Sequence, residues 1–224
     1  MIEVLDHGFV ELEQHQGGDL SVVNAARVSF NKRVEEIGDA DIGIINSLLK
    51  GRHGTPFEHN IFTFVIKCPI FVAREWMRHR IGSFNEWSAR YSQLEPDFYI
   101  PAAKDVRTQV GKAMQYTYRQ ADDHISDAYR YYLEKKSKSA YDMYLEAIGN
   151  GVAKEQARLF LPVNIYTSFW WTVNARSLMN FLSLRTAPTA QFEIREYAHA
   201  IETFFAAEMH HTHTAWLRND KVAP

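Results

Sequence analysis

The chain of 224 residues carries 25 Lys plus Arg against 27 Asp plus Glu, with 46% hydrophobic and 23% charged residues. That length supports one substantial domain, and the net charge of -2 argues against a general binder of nucleic acid or of an anionic membrane. The single cysteine, Cys68, excludes an internal disulfide and fits a reducing cytoplasm.

Met1-Ile-Glu-Val-Leu-Asp lacks a basic region followed by an apolar run, so no signal peptide is read there. Apolar runs are broken well before membrane-spanning length. Residues 1–13 read as a short strand pair around Asp6-His7-Gly8. Asp19 begins a helix with an apolar stripe, and a second helix runs from Asp39 or Asp41 to Lys50, closed by Gly51. Thr55-Pro56-Phe57-Glu58 has the spacing of a capping box with proline at the first helical position. Asn60 to Cys68 alternates Phe62, Phe64 and Ile66 with smaller or polar residues and predicts a strand.

Pro69 ends that strand and opens a helix leading into the most informative stretch, Arg74 to Tyr91. It holds four arginines and a histidine beside two carboxylates, Glu75 and Glu86, in a chain that is slightly acidic overall. Guanidinium forks match phosphate and carboxylate oxygens two at a time, so the cluster points to a local anion site. If the helix runs through Ile81, Arg74 and Arg78 share a face, as do Glu75 and His79. Gly82 then breaks it, and Ser83, Asn85, Glu86 and Ser88 fall on a loop. A solvated, salt-bridged helix end is the competing reading of the same charges.

Further on, Phe98-Tyr99-Ile100 predicts a short strand, residues 105–136 a long amphipathic helix, and Ser139 to Ile148 another. Ala153 to Leu161 follows. Arg158 sits within Leu and Phe, which predicts burial with either an internal acid or a substrate phosphate as partner. Asn164 to Thr172 is a strand or a buried helix. Ala175 to Arg185 is helical, placing Arg176 and Asn180 on one face, and a last long helix runs from Pro188 to about Met209. His210-His211-x-His213 lacks the cysteine or carboxylate set that would complete a metal site, so no metal is expected. Residues 1–210 form one domain, and 211–224 a loosely ordered tail.

Arg78-His79-Arg80-x-x-Ser83-x-Asn85-Glu86-x-Ser88-x-Arg90 resembles the signature of the flavin-dependent thymidylate synthases, with all eight specified positions filled. Asn174 to Arg185 is similar to the corresponding place in that family's C-terminal half. The resemblance runs from Gly8-Phe9-Val10 through Thr55-Pro56-Phe57-Glu58 to about Glu202; residues 105–135 and the tail carry little of it.

The resemblance implies an α/β scaffold of the α+β type, a mixed sheet flanked by helices, assembled as a homotetramer with shared active sites. It implies reductive methylation of dUMP to dTMP, with methylenetetrahydrofolate as carbon donor, FAD as hydride carrier and NADPH as reductant. Position by position, Thr55, Arg78, His79, Arg80, Glu86, Asn174, Ala175, Arg176 and Asn180 match flavin contacts. Glu75, Trp76, Met77 and Arg78, then Glu86, Trp87, Ser88, Ala89 and Arg90, together with Arg158, match the dUMP side. Ser88 and Arg90 match positions near the phosphate. Arg185 matches the catalytic residue beside the uracil ring, where a permanently charged guanidinium favours ionisation at N3. His53 matches a position near the flavin and folate. Glu75 stands where many family members have glutamine, which changes a possible donor into an acceptor. No thiolate is needed, in keeping with Cys68 in a strand pattern. The alternatives are a different flavoprotein or nucleotide methyltransferase, or a binding module without turnover.

Overall fold

A computed structural model describes residues 1–112 and 115–224. Its centre is a five-stranded sheet in the order β1 (Ile2–Val4), β2 (Gly8–Gln16), β3 (Ile61–Pro69), β7 (Tyr166–Asn174), β4 (Ser83–Glu86). The expected mixed sheet is instead antiparallel at every pairing. The register supplies the reason. Gln16 pairs with Ile61, so the connection 17–60 re-enters the sheet at the end it left, whereas 70–82 crosses to the opposite end and β4 runs parallel to β3. β7 inserts between these two parallel strands in the opposite direction, so every neighbouring pair is antiparallel.

β3 and β7 lie inside the sheet, with one face buried in the main core and the other only partly covered, Trp170 being 49% exposed. Phe62, Phe64, Ile66 and Cys68 of β3 are fully buried, as are Phe169 and Trp171 of β7 to within 1%. The β7 segment, ambiguous in sequence between strand and buried helix, is a strand because β3 and β4 flank it on either side. Helices α1 (Asp19–Arg27), α2 (Asp39–Lys50), α4 (Ile70–Trp76), α7 (Ala175–Arg185) and α8 (Phe192–Glu208) complete the main core. Within it, Trp76 stacks on Phe181 at 4.9 Å and meets Trp171 edge-on at 5.3 Å. A smaller core of Leu94, Phe98, Tyr141, Tyr144 and Ile165 lies under α5 (Asp123–Gly149) and α6 (Lys154–Ala157).

Four expectations change. Within the expected helix, β5 (Arg107–Val110) pairs antiparallel with β6 (Thr117–Gln120), and the helix starts only at Asp123; residues 113–114 of the expected helix lie outside the described residues. The two predicted helices after 123 are one, since nothing between Ser137 and Ala140 breaks it. Phe98 makes one bridge to Ile165 instead of a strand.

The supposed loose tail is α9 (His210–Arg218), with Trp216 fully buried. The buried Asp19 carboxylate accepts from the backbone N–H groups of His211 (2.8 Å) and Thr212 (2.9 Å), neutralising the start of this helix. His213 pairs with Glu202 at 3.1 Å. Among the described residues no helix is long and apolar enough to cross a membrane, and no group of three His, Cys, Asp or Glu side chains could hold a metal ion.

Candidate active site

α4 stops at Trp76 instead of running through Ile81. Trp76 is locked in the core, and seven residues further on, at Ser83, the chain must join β7 as β4. A Cβ on Gly82 would press against the Trp171 indole nitrogen and the Thr172 carbonyl, so this crossing takes glycine. The expected loop over Ser83–Glu86 is therefore an edge strand. Arg78, His79, Arg80 and Ile81 are released into the link between α4 and β4.

They line a cleft of about 740 Å³ together with Trp171 and Asn174 of β7 and Arg176, Ser177, Asn180, Leu184 and Arg185 of α7. Glu58 of the short turn α3 (Thr55–Glu58) and the segment Ala223–Pro224 close its other side. Arg78 and Arg80 are exposed and make no ion pair among the described residues. Asn174 caps α7 by accepting from the Ser177 N–H at 2.9 Å. Arg176 donates to Glu58 at 2.5 Å and to the Pro224 carbonyl at 2.8 Å. Gly54 lies so close to the Arg176 side chain that a Cβ there would overlap it.

Arg185 is the most constrained group of the cleft. Its Nε donates to His79 Nε2 at 2.9 Å, one terminal nitrogen to the Glu75 carboxylate at 2.8 Å, and the other to the Glu75 carbonyl at 2.9 Å. Burial, followed by the Arg185 charge, pushes His79 down to about 4 despite the opposing pull of Glu75, so its ring is neutral near pH 7.

The remaining sequence-derived residues form other groups. Ser88, Arg90 and Arg158 gather beside α6: Ser88 Oγ accepts from the Arg90 N–H at 3.3 Å, Arg90 Nε donates to the Glu155 carboxylate at 3.2 Å, and Arg158 Nε donates to the Glu155 carbonyl at 3.2 Å. Arg158 is exposed, against the expectation of burial, as are Leu159 (83%) and Phe160 (48%). A one-turn helix followed by a tight turn leaves these side chains without a cover in the single chain. Glu86 accepts from Thr167 at 2.7 Å, and the Trp87 indole N–H donates to Ser92 Oγ. Met77 is partly exposed, whereas the side chains of Trp76, Ala89 and Ala175 belong to the cores. Thr55 makes no cap, because Gly54 occupies that position. With His53 it borders a separate hollow of about 330 Å³ between α1, α2 and α3. Glu58, read from sequence only as a capping partner, and the segment Ala223–Pro224 were not recognisable as part of the cleft; no local pattern marks them, and only the fold brings them there.

Cys68 lies in the middle of the sheet at 0% exposure, and desolvation pushes its thiol well above its usual range. It is not poised as a thiolate.

An antiparallel sheet backed by helices, with a cation- and amide-lined cleft at the head of α7, defines an α/β scaffold with a cleft of the kind that suits an anionic ligand. A sequence profile of the family described as Thymidylate synthase complementing protein matches residues 11–209. The chain is 44% identical over 216 residues to the flavin-dependent thymidylate synthase of Thermosipho africanus, covering 96% of this chain and 93% of that protein. It is also 44% identical over 217 residues to the enzyme of that name from Thermotoga neapolitana, covering 97% and 94%. Among solved structures, the UMP/dUMP methylase PolB of Streptomyces cacaoi, bound with 5-Br dUMP, superposes with a TM-score of 0.91 at 38% identity over 100% of both chains. The chain belongs to the flavin-dependent thymidylate synthases, a family of methyltransferases.

Proposed function

We propose that this enzyme methylates dUMP reductively to dTMP, taking the carbon from methylenetetrahydrofolate, with FAD as hydride carrier and NADPH as reductant. The observation that carries the reading is the cleft itself: Arg78 and Arg80, which make no ion pair among the described residues, line it together with Arg176, Asn174 and Asn180, and Arg185 is clamped by His79 and Glu75. Guanidinium groups suit a diphosphate, the asparagine amides suit the polar edges of a ring system, and Ile81, Trp171 and Leu184 suit its faces. The donor set therefore fits FAD, which Arg78, His79, Arg80, Asn174, Arg176 and Asn180 would hold, with Ala175 fixing the start of α7; Thr55 and Glu86 lie outside the cleft of the single chain and would reach the flavin in a site shared between subunits. When bound, the flavin supplies the hydride that completes the methyl group.

The chain's own residues bind, orient and polarise. Ser88, Arg90 and Arg158 receive the dUMP phosphate. Arg185 favours the ionised uracil, because a guanidinium keeps its charge at every working pH. His53 lies on the folate side. Cys68 takes no part, since a thiol this buried does not ionise near neutrality.

In one chain the cluster of Ser88, Arg90 and Arg158 beside α6 and the cleft at α7 are separate groups of residues, and Leu159 and Phe160 lie uncovered beside Arg158. A homotetramer whose active sites draw residues from several subunits accounts for both facts. A reducing cytoplasm suits the lone thiol.

Release of tritium from 5-tritiated dUMP tests the reading, with FAD, methylenetetrahydrofolate and NADPH each omitted in turn. Release that needs all three, with dTMP as product, is expected. No release from flavin-replete, reduced enzyme overturns it.

A further inference from the structure

The end of α4 and the end of α7 meet in one contact. Had α4 continued, the Glu75 carbonyl would have accepted from the N–H of His79; because the helix stops, that N–H bonds to the Trp76 carbonyl at 3.0 Å and the Glu75 carbonyl turns to Arg185. Glu75 thus holds the guanidinium twice, through its backbone and its carboxylate, and His79 holds the third nitrogen. A guanidinium can only donate, so His79 Nε2 must offer its lone pair and the ring proton sits on Nδ1. Phe181 packs against the His79 ring at 4.9 Å and limits its rotation.

We propose that Glu75 and His79 are positioning residues for Arg185: together they fix all three guanidinium nitrogens, and the Glu75 carboxylate also sets how much of its charge reaches the cleft. Of five N–H groups, three are engaged, leaving one on each terminal nitrogen for a pair of acceptors. The carboxylate at 2.8 Å offsets part of the positive field that Arg185 applies to a bound ring. Glutamine at this position keeps an acceptor and removes the offset. The proposal rests on the reading that Arg185 faces uracil. The other charged groups on the cleft are Arg78, Arg80, Arg176 and Glu58, and the substitutions below leave them unchanged.

The test uses the FAD-loaded enzyme and its Glu75→Gln, Glu75→Ala and Arg185→Ala variants. The pH midpoint for ionisation of bound dUMP is read by ultraviolet difference spectra, alongside kcat and KM. In Glu75→Gln the midpoint should fall by about half a pH unit, the carboxylate being partly exposed and its effect screened. In Glu75→Ala, which loses the side-chain tether, kcat should fall by roughly tenfold with KM for dUMP little changed. A merely structural Glu75 would alter melting temperature and flavin content without moving the midpoint. A parental midpoint in Glu75→Gln together with parental kcat in Glu75→Ala overturns the proposal while Arg185→Ala remains impaired. Parental behaviour of Arg185→Ala would instead overturn the uracil-facing reading of Arg185, and the proposal with it.

Discussion

Arg90 and Glu155 form an ion pair at 3.2 Å with both side chains half exposed, at 52% and 53%, and Arg158 donates to the backbone of the same Glu155. An ion pair this wet contributes little to stability, but its carboxylate competes with any phosphate for the Arg90 guanidinium. Glu155→Gln should therefore leave the melting temperature nearly unchanged and tighten dUMP severalfold. Calorimetric titration with dUMP checks this, and weaker binding would remove Arg90 from the phosphate site. Arg90→Ala and Arg158→Ala should weaken dUMP far more than deoxyuridine; equal losses for both ligands would contradict phosphate binding.

Cys68 packs between sheet and helices with no role assigned to its sulfur. Cys68→Ala removes only a small buried group, at a cost of about 1 kcal/mol. The variant should form dTMP at close to the parental rate with a slightly lower melting temperature. A folded Cys68→Ala protein with no turnover would mean that the thiol is used chemically.

Trp216 is fully buried and packs against Phe205 at 6.2 Å, so α9 is part of the core. Trp216→Ala should cost about 3–5 kcal/mol, the usual range for emptying a buried aromatic site. Denaturant unfolding measures it. A loss below 1 kcal/mol would mean that residues 210–218 are an appendage.

His79 refuses a proton in the folded chain until about pH 4, whereas an unfolded histidine accepts one near 6.5. As pH falls between these values only the unfolded state gains a proton, so stability is lost across that window and the loss levels off below it. Replacing His79 with glutamine should remove this contribution. Melting temperatures of parent and His79→Gln, followed from pH 7 to 4, should converge as acid is added; parallel curves would show that His79 titrates normally.

Much of this protein was legible without coordinates. Ala175–Arg185 is helical over the predicted bounds, because Asn174 caps it and its apolar residues recur at helical spacing. The strand expected over 60–68 is found at Ile61–Pro69, as its aromatic alternation indicated, and the cationic run Arg78-His79-Arg80 is plain in the sequence itself. The strand pair Arg107–Val110 and Thr117–Gln120 was misread because these polar, largely exposed strands carry no face pattern that separates them from an exposed helix.

What the sequence by itself determined was therefore the chemistry present: the guanidinium groups, the asparagines, the lone inert thiol, and a family signature in residue order. Only the tertiary structure decided which of these groups meet. The antiparallel register, the stop of α4 at Trp76, the pairing of Arg185 with Glu75 and His79, and the return of segment Ala223–Pro224 to the cleft all depend on contacts between residues far apart along the chain. Helix caps and strand alternation are local and can be read in a window of a few residues. Where a helix must end so that its next strand can reach the sheet is settled by packing, and local spacing does not encode it.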